Sequence, residues 1–227
     1  MQFSIVQPFF IIAYLFLQHS QQGKALKLNE KQKDWLLIVA ILSIIIGGRI
    51  GYILFYNLPY YLHNPVKMFY IWEGGLSFHG GLILTIFGIY LFAKHFKISF
   101  LKLSDLACII APIGIFFGRI GNFINGELYG RIATSFCLHF PTDPTNCRYP
   151  SEIFEALGEG VLIYILLYLI WRKHPKPGYM SAAFLMFYGI IRFNLEFFRQ
   201  PDEGVALVLG LSRGQQLSVL MVLAGAV

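Results

Sequence analysis

Residues 106–131 read LACIIAPIGIFFGRIGNFINGELYGR, an apolar run that passes directly into a polar, glycine-rich segment. The run Leu106 to Phe117 carries no charge, whereas Gly118 to Arg131 holds two arginines, two asparagines and a glutamate. An arginine within a membrane costs about 2.5 kcal/mol or more, so such a residue is a candidate for a functional site. The apolar half of this stretch indicates the fold, and the polar half indicates a site.

Apolar runs of the same kind recur along the whole chain. Hydrophobic residues form 56% of the sequence and charged residues 13%, which departs from the composition of soluble domains. The other runs are Phe9 to Leu17, Trp35 to Ile46, Leu76 to Phe92, Gly160 to Trp171, Tyr179 to Phe193 and Leu217 to Val227. A membrane helix needs about 20 residues, so several runs must extend into semi-polar flanks. We predict an all-α, polytopic membrane protein with about seven transmembrane helices and polar outer loops.

The basic residues indicate an orientation. Patches of lysine and arginine follow the first, third and fifth runs, and cytoplasmic loops are the ones that carry such an excess. The patches are Lys24, Lys27, Lys31 and Lys33, then Lys94, Lys97 and Lys102, then Arg172, Lys173 and Lys176. Asn57 to Gly75, Gly126 to Ser151 and Gln200 to Gln215 are therefore predicted on the outer, periplasmic side. The net charge of +6 is explained by topology and predicts no nucleic-acid partner.

The other basic residues oppose this orientation rule, because nearly all of them fall at the outer ends of helices or in outer loops. They are Arg49, Lys67, Arg119, Arg131, Arg148, Arg192, Arg199 and Arg213. Cationic side chains at that level indicate binding to something anionic, and phospholipid head groups are the obvious candidates.

Cysteines and histidines add little chemistry. Cys137 and Cys147 share one outer loop, where they either form a disulfide in an oxidising periplasm or remain separate thiols. The histidines His79, His139 and His174 are scattered over loops predicted on different sides, without the spacing of a zinc site. We predict no metal and no cofactor.

Arg119 and its neighbours form the first candidate site. Arg119 and Asn122 share a helix face if the helix continues that far. A guanidinium group offers a planar fork of donors that fits a phosphate, and Asn122 and Asn125 add neutral donors. Glu127 can orient Arg119 or Arg131 by pairing. The alternative is an interfacial arginine whose charge merely extends to the lipid head groups.

His79 forms the second candidate site. It lies in the segment Glu73 to Gly81, EGGLSFHGG, where four glycines permit close approach of a ligand or of another helix. The alternative is a glycine-packed helix start with a capping serine. A histidine titrates near pH 6.5, so His79 is also a candidate general base.

Further charged residues lie within the apolar runs. Arg192 and Glu196 are four residues apart on a predicted helix and form either a structural salt bridge or part of a site. Arg49 is another intramembrane arginine. Glu155 and Glu159 form a second pair at the same spacing, and they can balance the arginines.

Three of these segments together resemble the bacterial prolipoprotein diacylglyceryl transferases. They are Gly74 to Gly81, Gly118 to Arg131 and Arg192 to Asp202, and the resemblance continues through Gly47 to Asn57, Arg148 to Ser151 and Leu211 to Gln215. Most of the chain from about Lys24 onward is covered. The resemblance implies one integral-membrane transferase domain, residues 1–227, whose two ends look shortened relative to the family.

The resemblance also implies a reaction. An enzyme of this family transfers the diacylglyceryl group of phosphatidylglycerol to the lipobox cysteine of a preprolipoprotein, which forms a thioether and releases glycerol phosphate. The implied partners are phosphatidylglycerol, signal peptides with a lipobox cysteine, and membrane lipid. The implied location is the bacterial inner membrane, with several crossings and the active site towards the periplasm.

The resemblance and the chemistry of the side chains together predict the site residues. We expect the catalytic residues to be His79, Arg119 and Arg192. We expect the substrate-binding residues to be Arg119, Asn122, Glu127, Gly130, Glu196 and Arg49. The chain departs from the family at two places: Gln2 to Ile5 stands near the usual Arg-Trp-Tyr-Gly motif, and Tyr149 replaces the histidine of Arg-His-Pro-Ser.

Two other functions fit some of these residues. A transporter for an anionic solute also uses intramembrane arginines and glycine-broken helices, but it predicts an inverted repeat, and the glycine-rich motifs of the third and fourth runs do not resemble one another. An inactive, lipid-binding relative of the transferases is compatible with the missing tyrosine motif.

Overall fold

The computed structural model describes the backbone of residues 2–200 and 210–226. The side chains of residues 2–8, 21, 22, 73, 78, 79 and 213 lie outside the description. The helices are α1 Gln2–His19, α2 Gln21–Ala25, α3 Glu30–Tyr56, α4 Leu58–His63, α5 Phe78–His95, α6 Phe100–Asn125, α7 Ser151–Glu155, α8 Ile163–Trp171, α9 Tyr179–Leu195 and α10 Arg213–Gly225. The 3-10 turns Pro65–Phe69 and Ile71–Glu73 precede α5, and a π-helical segment, Ala156–Leu162, joins α7 to α8.

Within the described residues, each predicted apolar run falls largely on a helix, and Val227, the last residue of the final run, lies outside the description. Among the described residues, three helices are long and apolar enough to cross a membrane: Glu30–Tyr56, Phe100–Asn125 and the continuous helix Ser151–Trp171. Shorter apolar helices occupy Phe9–His19, Gly80–His95, Tyr179–Leu195 and Gly214–Gly225. The prediction of a polytopic helical membrane protein is confirmed, and the number of seven crossings stays a prediction.

The chain divides into two compact units, one formed by residues 17–104 and the other by residues 1–16 with 105–227. The prediction of one domain is not tested by this division. In the unit 17–104, α3 packs closely on α5 through glycines: a Cβ atom built on Gly51 would lie 2.7 Å from the Cα of Gly80. Ser77 caps α5, because its hydroxyl accepts from the Gly80 amide. The predicted glycine-packed, serine-capped helix start is therefore present.

In the second unit, the continuous helix of α7, the π-helical segment and α8 supplies fully buried apolar side chains, among them Ile163 and Leu167. The N-cap residue of α9 is a glycine, Gly178, which has no side chain that could cap the helix. Asp105, near the start of α6, supplies the cap instead: its carboxylate accepts from the Gly178 amide at 2.7 Å and from the Ser181 amide at 2.9 Å. This cap satisfies amide groups that a helix start leaves without partners.

The loop between α6 and α7 contains a small hairpin that we did not predict. Strand β1, Leu138–Phe140, pairs antiparallel with β2, Asp143–Arg148. Cys137 and Cys147 form a disulfide across it, which decides between the two alternatives left by the sequence. An ion pair between Asp143 and Arg148 also closes the hairpin, and this arginine lowers the pKa of the Asp143 carboxyl group.

Candidate active site

Buried acidic and basic side chains meet in the second unit, and we call them the arginine-glutamate cluster. Its members are Arg119 of α6, Glu155 of α7, Glu159 of the π-helical segment, Arg192 of α9, and Glu196 one residue beyond α9. Both Glu155 and Glu159 have 0% side-chain exposure. Directly paired members are separated by up to 40 positions in the sequence.

Arg119 is held by two carboxylates. Its Nε lies 2.8 Å from Oε2 of Glu155, and its Nη2 lies 3.3 Å from Oε2 of Glu159. The helix α6 continues to Asn125, so Arg119 and Asn122 do share a helix face as predicted. The side chain of Arg119 keeps 18% exposure, whereas both of its carboxylate partners are fully buried. Arg119 is therefore the most exposed member of the cluster.

Arg192 lies deeper, with 8% side-chain exposure, and contacts three carboxylates. Its Nη1 lies 2.9 Å from Glu155 Oε1 and 3.2 Å from Glu159 Oε1, and its Nη2 lies 2.6 Å from Glu196 Oε2. The salt bridge between Arg192 and Glu196 is thus present, and so is the predicted balancing of the arginines by Glu155 and Glu159. Glu155 and Glu159 each contact both guanidinium groups and so connect Arg119 to Arg192.

The formal positive and negative charges of the side chains in this region nearly cancel. The three carboxylates face Arg119 and Arg192, and Nε of Arg199 lies 4.0 Å from Glu155 Oε1. Removing one partner of a buried ion pair leaves an uncompensated charge at a cost of about 3 to 5 kcal/mol. Loss of any one charged member should therefore destabilise this region.

Ser212 is a cluster contact that the sequence reasoning missed. Its hydroxyl donates to Oε1 of Glu196 at 2.9 Å, and it also caps α10 by accepting from the Gln215 amide. Gly214 lies against the same carboxylate, because a Cβ atom there would come within 2.7 Å of the Glu196 Cδ. The capping box of Ser212 and Gln215 is visible in the sequence, but only the fold brings it to Glu196.

Arg49 belongs to the other unit, and protein carbonyl groups surround its guanidinium. Its Nε donates to Met68, its Nη1 to Gly74 and Gly75, and its Nη2 to Lys67 and Tyr70. A guanidinium has five N–H donors, and the five carbonyl oxygens match that number. Arg49 is 5% exposed. These contacts hold the segment before α5, while the predicted substrate-binding role of Arg49 stays a prediction.

The remaining predicted site residues are spread over both units. The backbone of His79 lies in the first turn of α5, and its side chain is outside the described part, so its role as a base stays a prediction. The carbonyl of Asn122 accepts from the Glu127 amide at 2.9 Å. Gly130 donates to the Tyr149 carbonyl at 2.8 Å, and a Cβ atom there would lie 2.7 Å from the Tyr149 Cβ. Gly130 is thus required by close backbone packing, whatever its part in binding substrate.

Comparison with known proteins bears directly on this arrangement. The family model described as prolipoprotein diacylglyceryl transferase matches residues 4–227. The chain is 46% identical over 192 residues to the phosphatidylglycerol-prolipoprotein diacylglyceryl transferase of Idiomarina loihiensis. The aligned region covers 84% of this chain and 72% of the relative. It is 42% identical over 219 residues to the enzyme of the same name from Geobacter sulfurreducens, covering 95% and 84%.

A third relative, from Francisella tularensis subsp. novicida, carries the same name and is 47% identical over 204 residues, covering 88% of this chain and 76% of the relative. The matched region of the family model includes both compact units and every member of the arginine-glutamate cluster. The chain belongs to the prolipoprotein diacylglyceryl transferase family and is a membrane-embedded transferase.

Proposed function

We propose that the arginine-glutamate cluster is the place where this transferase binds the phosphate of phosphatidylglycerol and moves its diacylglyceryl group to the lipobox cysteine of a preprolipoprotein. The observation that carries the proposal is the partial exposure of Arg119 beside fully buried carboxylates. An arginine held in place by its partners, with one edge accessible, is arranged to receive a phosphate without reorganisation.

The reaction requires an activated sulfur atom. A cysteine thiol has a pKa of about 8.5 and reacts as the thiolate. The sulfur forms a bond to the glyceryl carbon, the bond between that carbon and the phosphate oxygen breaks, and glycerol phosphate leaves with the electron pair. The thiol proton goes to a base, and His79 is our candidate because a histidine changes charge near neutral pH.

The two arginines have different parts in this scheme. Arg119 binds the phosphate and stabilises the charge that develops on the leaving oxygen. Arg192, which is more deeply buried, offsets the negative charge of the carboxylates and holds Glu155 and Glu196 in place. Asn122, on the same helix face as Arg119, is a neutral donor for the lipid head group. No cofactor enters any step.

The proposed setting is the periplasmic side of the bacterial inner membrane. The distribution of basic residues supports it, since the loops that follow α1, α5 and α8 carry the basic patches of a cytoplasmic side. Lipobox-containing signal peptides and phosphatidylglycerol both reach the outer leaflet there, and neighbouring membrane lipid surrounds the helices. The disulfide between Cys137 and Cys147 supports an oxidising compartment for the loop that carries it.

A direct assay tests the proposal. The purified protein in phosphatidylglycerol-containing nanodiscs is mixed with a lipobox peptide, and mass spectrometry measures the diacylglyceryl thioether. We expect the adduct with the native chain, none with Arg119→Ala, and a normal amount with the matched control Arg172→Ala, an exposed arginine outside the cluster. Lipid binding without any adduct would identify an inactive relative. Normal turnover by Arg119→Ala would refute the phosphate site.

A further inference from the structure

Glu152 is a buried carboxyl group that the proposed mechanism does not use. It lies in the first turn of α7 and is 0% exposed. Neither Oε1 nor Oε2 has a hydrogen-bond partner on another residue that the structure describes. A buried polar group without a partner costs about 1 to 3 kcal/mol, and more when it is charged. Such a group therefore favours a ligand that brings hydrogen-bond donors.

The position of Glu152 connects it to the arginine-glutamate cluster. Residues three apart on a helix are neighbours on one face, with Cβ atoms about 5 to 6 Å apart. Glu152 is three residues before Glu155, whose two oxygens contact Arg119 and Arg192. Glu155 therefore forms direct ion pairs with both arginines, whereas Glu152 interacts with Arg119 only from beyond ion-pair distance, although both carboxyl groups are fully buried on the same helix.

The chemistry of the lipid head group fits this difference. The head group of phosphatidylglycerol has one phosphate and, on the two carbons that follow the phosphate ester, two hydroxyl groups. Glu152 and Arg119 lie within electrostatic reach of each other, so a phosphate at Arg119 brings the hydroxyl groups that follow it into the neighbourhood of Glu152. A carboxyl group accepts hydrogen bonds from hydroxyl groups in either protonation state.

We propose that the carboxyl group of Glu152 is the subsite for the hydroxyl groups of the glycerol head group, and that it selects this lipid among phospholipids. This inference rests on the proposed function, because it takes the phosphate to be at Arg119. An ammonium head group is the competing partner for a carboxylate, and phosphatidylethanolamine therefore belongs in the test. The inference assigns a specificity role to a residue that sequence reasoning did not single out.

Lipid binding to the native chain provides the first test. Native mass spectrometry or a fluorescence titration compares phosphatidylglycerol with phosphatidylpropanol, which has the same carbon skeleton without hydroxyl groups, and with phosphatidylethanolamine. We expect phosphatidylglycerol to bind about tenfold more tightly than phosphatidylpropanol, the difference that roughly one buried hydrogen bond makes. Equal affinities, or tighter binding of phosphatidylethanolamine, would overturn the inference.

Substitution of Glu152 provides the second test. Glu152→Met keeps a similar volume but removes the polar atoms, so phosphatidylglycerol should lose its tenfold advantage while phosphatidylpropanol binds as before. Glu152→Gln keeps an acceptor oxygen and should retain most of the preference. A parallel loss for both lipids in Glu152→Met would show a structural role and overturn the inference.

The transfer assay separates this inference from the proposed function. Adduct formation by a chain without any preference for hydroxyl groups refutes the subsite alone. A chain that prefers phosphatidylglycerol in binding but forms no adduct refutes the proposed reaction and upholds the subsite.

Discussion

The Nη2 atom of Arg192 lies 2.6 Å from Oε2 of Glu196, one helical turn further along the chain. Both side chains are nearly buried, and the other oxygen of Glu196 accepts a hydrogen bond from Ser212 at the start of α10. The ion pair therefore links the end of α9 to the beginning of α10. It also keeps Arg192 directed at the carboxylates that hold Arg119.

Glu196→Gln should lower both stability and activity. The substitution preserves the shape of the side chain but leaves Arg192 with one carboxylate fewer, and breaking a buried pair costs about 3 to 5 kcal/mol. We expect a clearly lower thermal unfolding temperature and at least a tenfold slower transfer. Ser212→Ala is the comparison that changes no charge: it removes the hydroxyl that donates to Glu196 and caps α10, which should cost about 2 kcal/mol. Equal effects of the two substitutions would contradict the importance of the ion pair.

Arg49→Lys should destabilise the segment before α5. A lysine has three donors and no planar fork, so it cannot satisfy the five carbonyl groups that Arg49 contacts. Hydrogen bonds to a charged group contribute about 1.5 to 3 kcal/mol each, and the loss of two should lower the unfolding temperature measurably. Hydrogen exchange of the amides of residues 67–75 should become faster. Unchanged stability with lost lipid binding would instead support the substrate-binding role of Arg49.

Gly80→Ala should separate α3 from α5. An added methyl group would meet the backbone of Gly47 and, at 2.7 Å, the Cα of Gly51. Overpacking of this kind costs about 1 to 3 kcal/mol. Gly118→Ala is the control: nothing lies within 4 Å of its added Cβ atom, so the better helix propensity of alanine should raise stability by about 0.5 to 1 kcal/mol. Thermal unfolding of both variants tests the prediction, and a stabilising Gly80→Ala would refute the tight crossing.

The hairpin between α6 and α7 should weaken in acid. The hydrogen bond from Arg148 lowers the pKa of Asp143 in the folded state relative to the unfolded state. Its contribution to stability is therefore fully present above the ordinary aspartate pKa, and it is lost as the pH falls through the lower, folded value. Hydrogen exchange of the hairpin amides, followed between pH 5 and pH 2, measures this loss. Asp143→Asn should remove the dependence, and an identical acid response in that variant would contradict it.

The sequence by itself determined the membrane class, the helices and the types of residue at the site. Long apolar runs predict membrane helices, because a helix in lipid needs a continuous stretch of apolar side chains. An arginine such as Arg119 stands out because it interrupts that stretch. The pair Arg192 and Glu196 could also be predicted, since four residues make one helical turn. The same local information gave the capping role of Ser77.

Only the tertiary structure decided which charges meet. Arg119 and Glu159 are separated by 40 residues, and Arg192 and Glu155 by 37, so no helical period relates them. The sequence placed both Arg49 and Arg119 among the predicted substrate-binding residues, yet carbonyl groups of its own unit surround Arg49, whereas carboxylates contact the partly exposed Arg119. The environment of a buried charge depends on the helices packed around it, and that packing is a property of the whole fold.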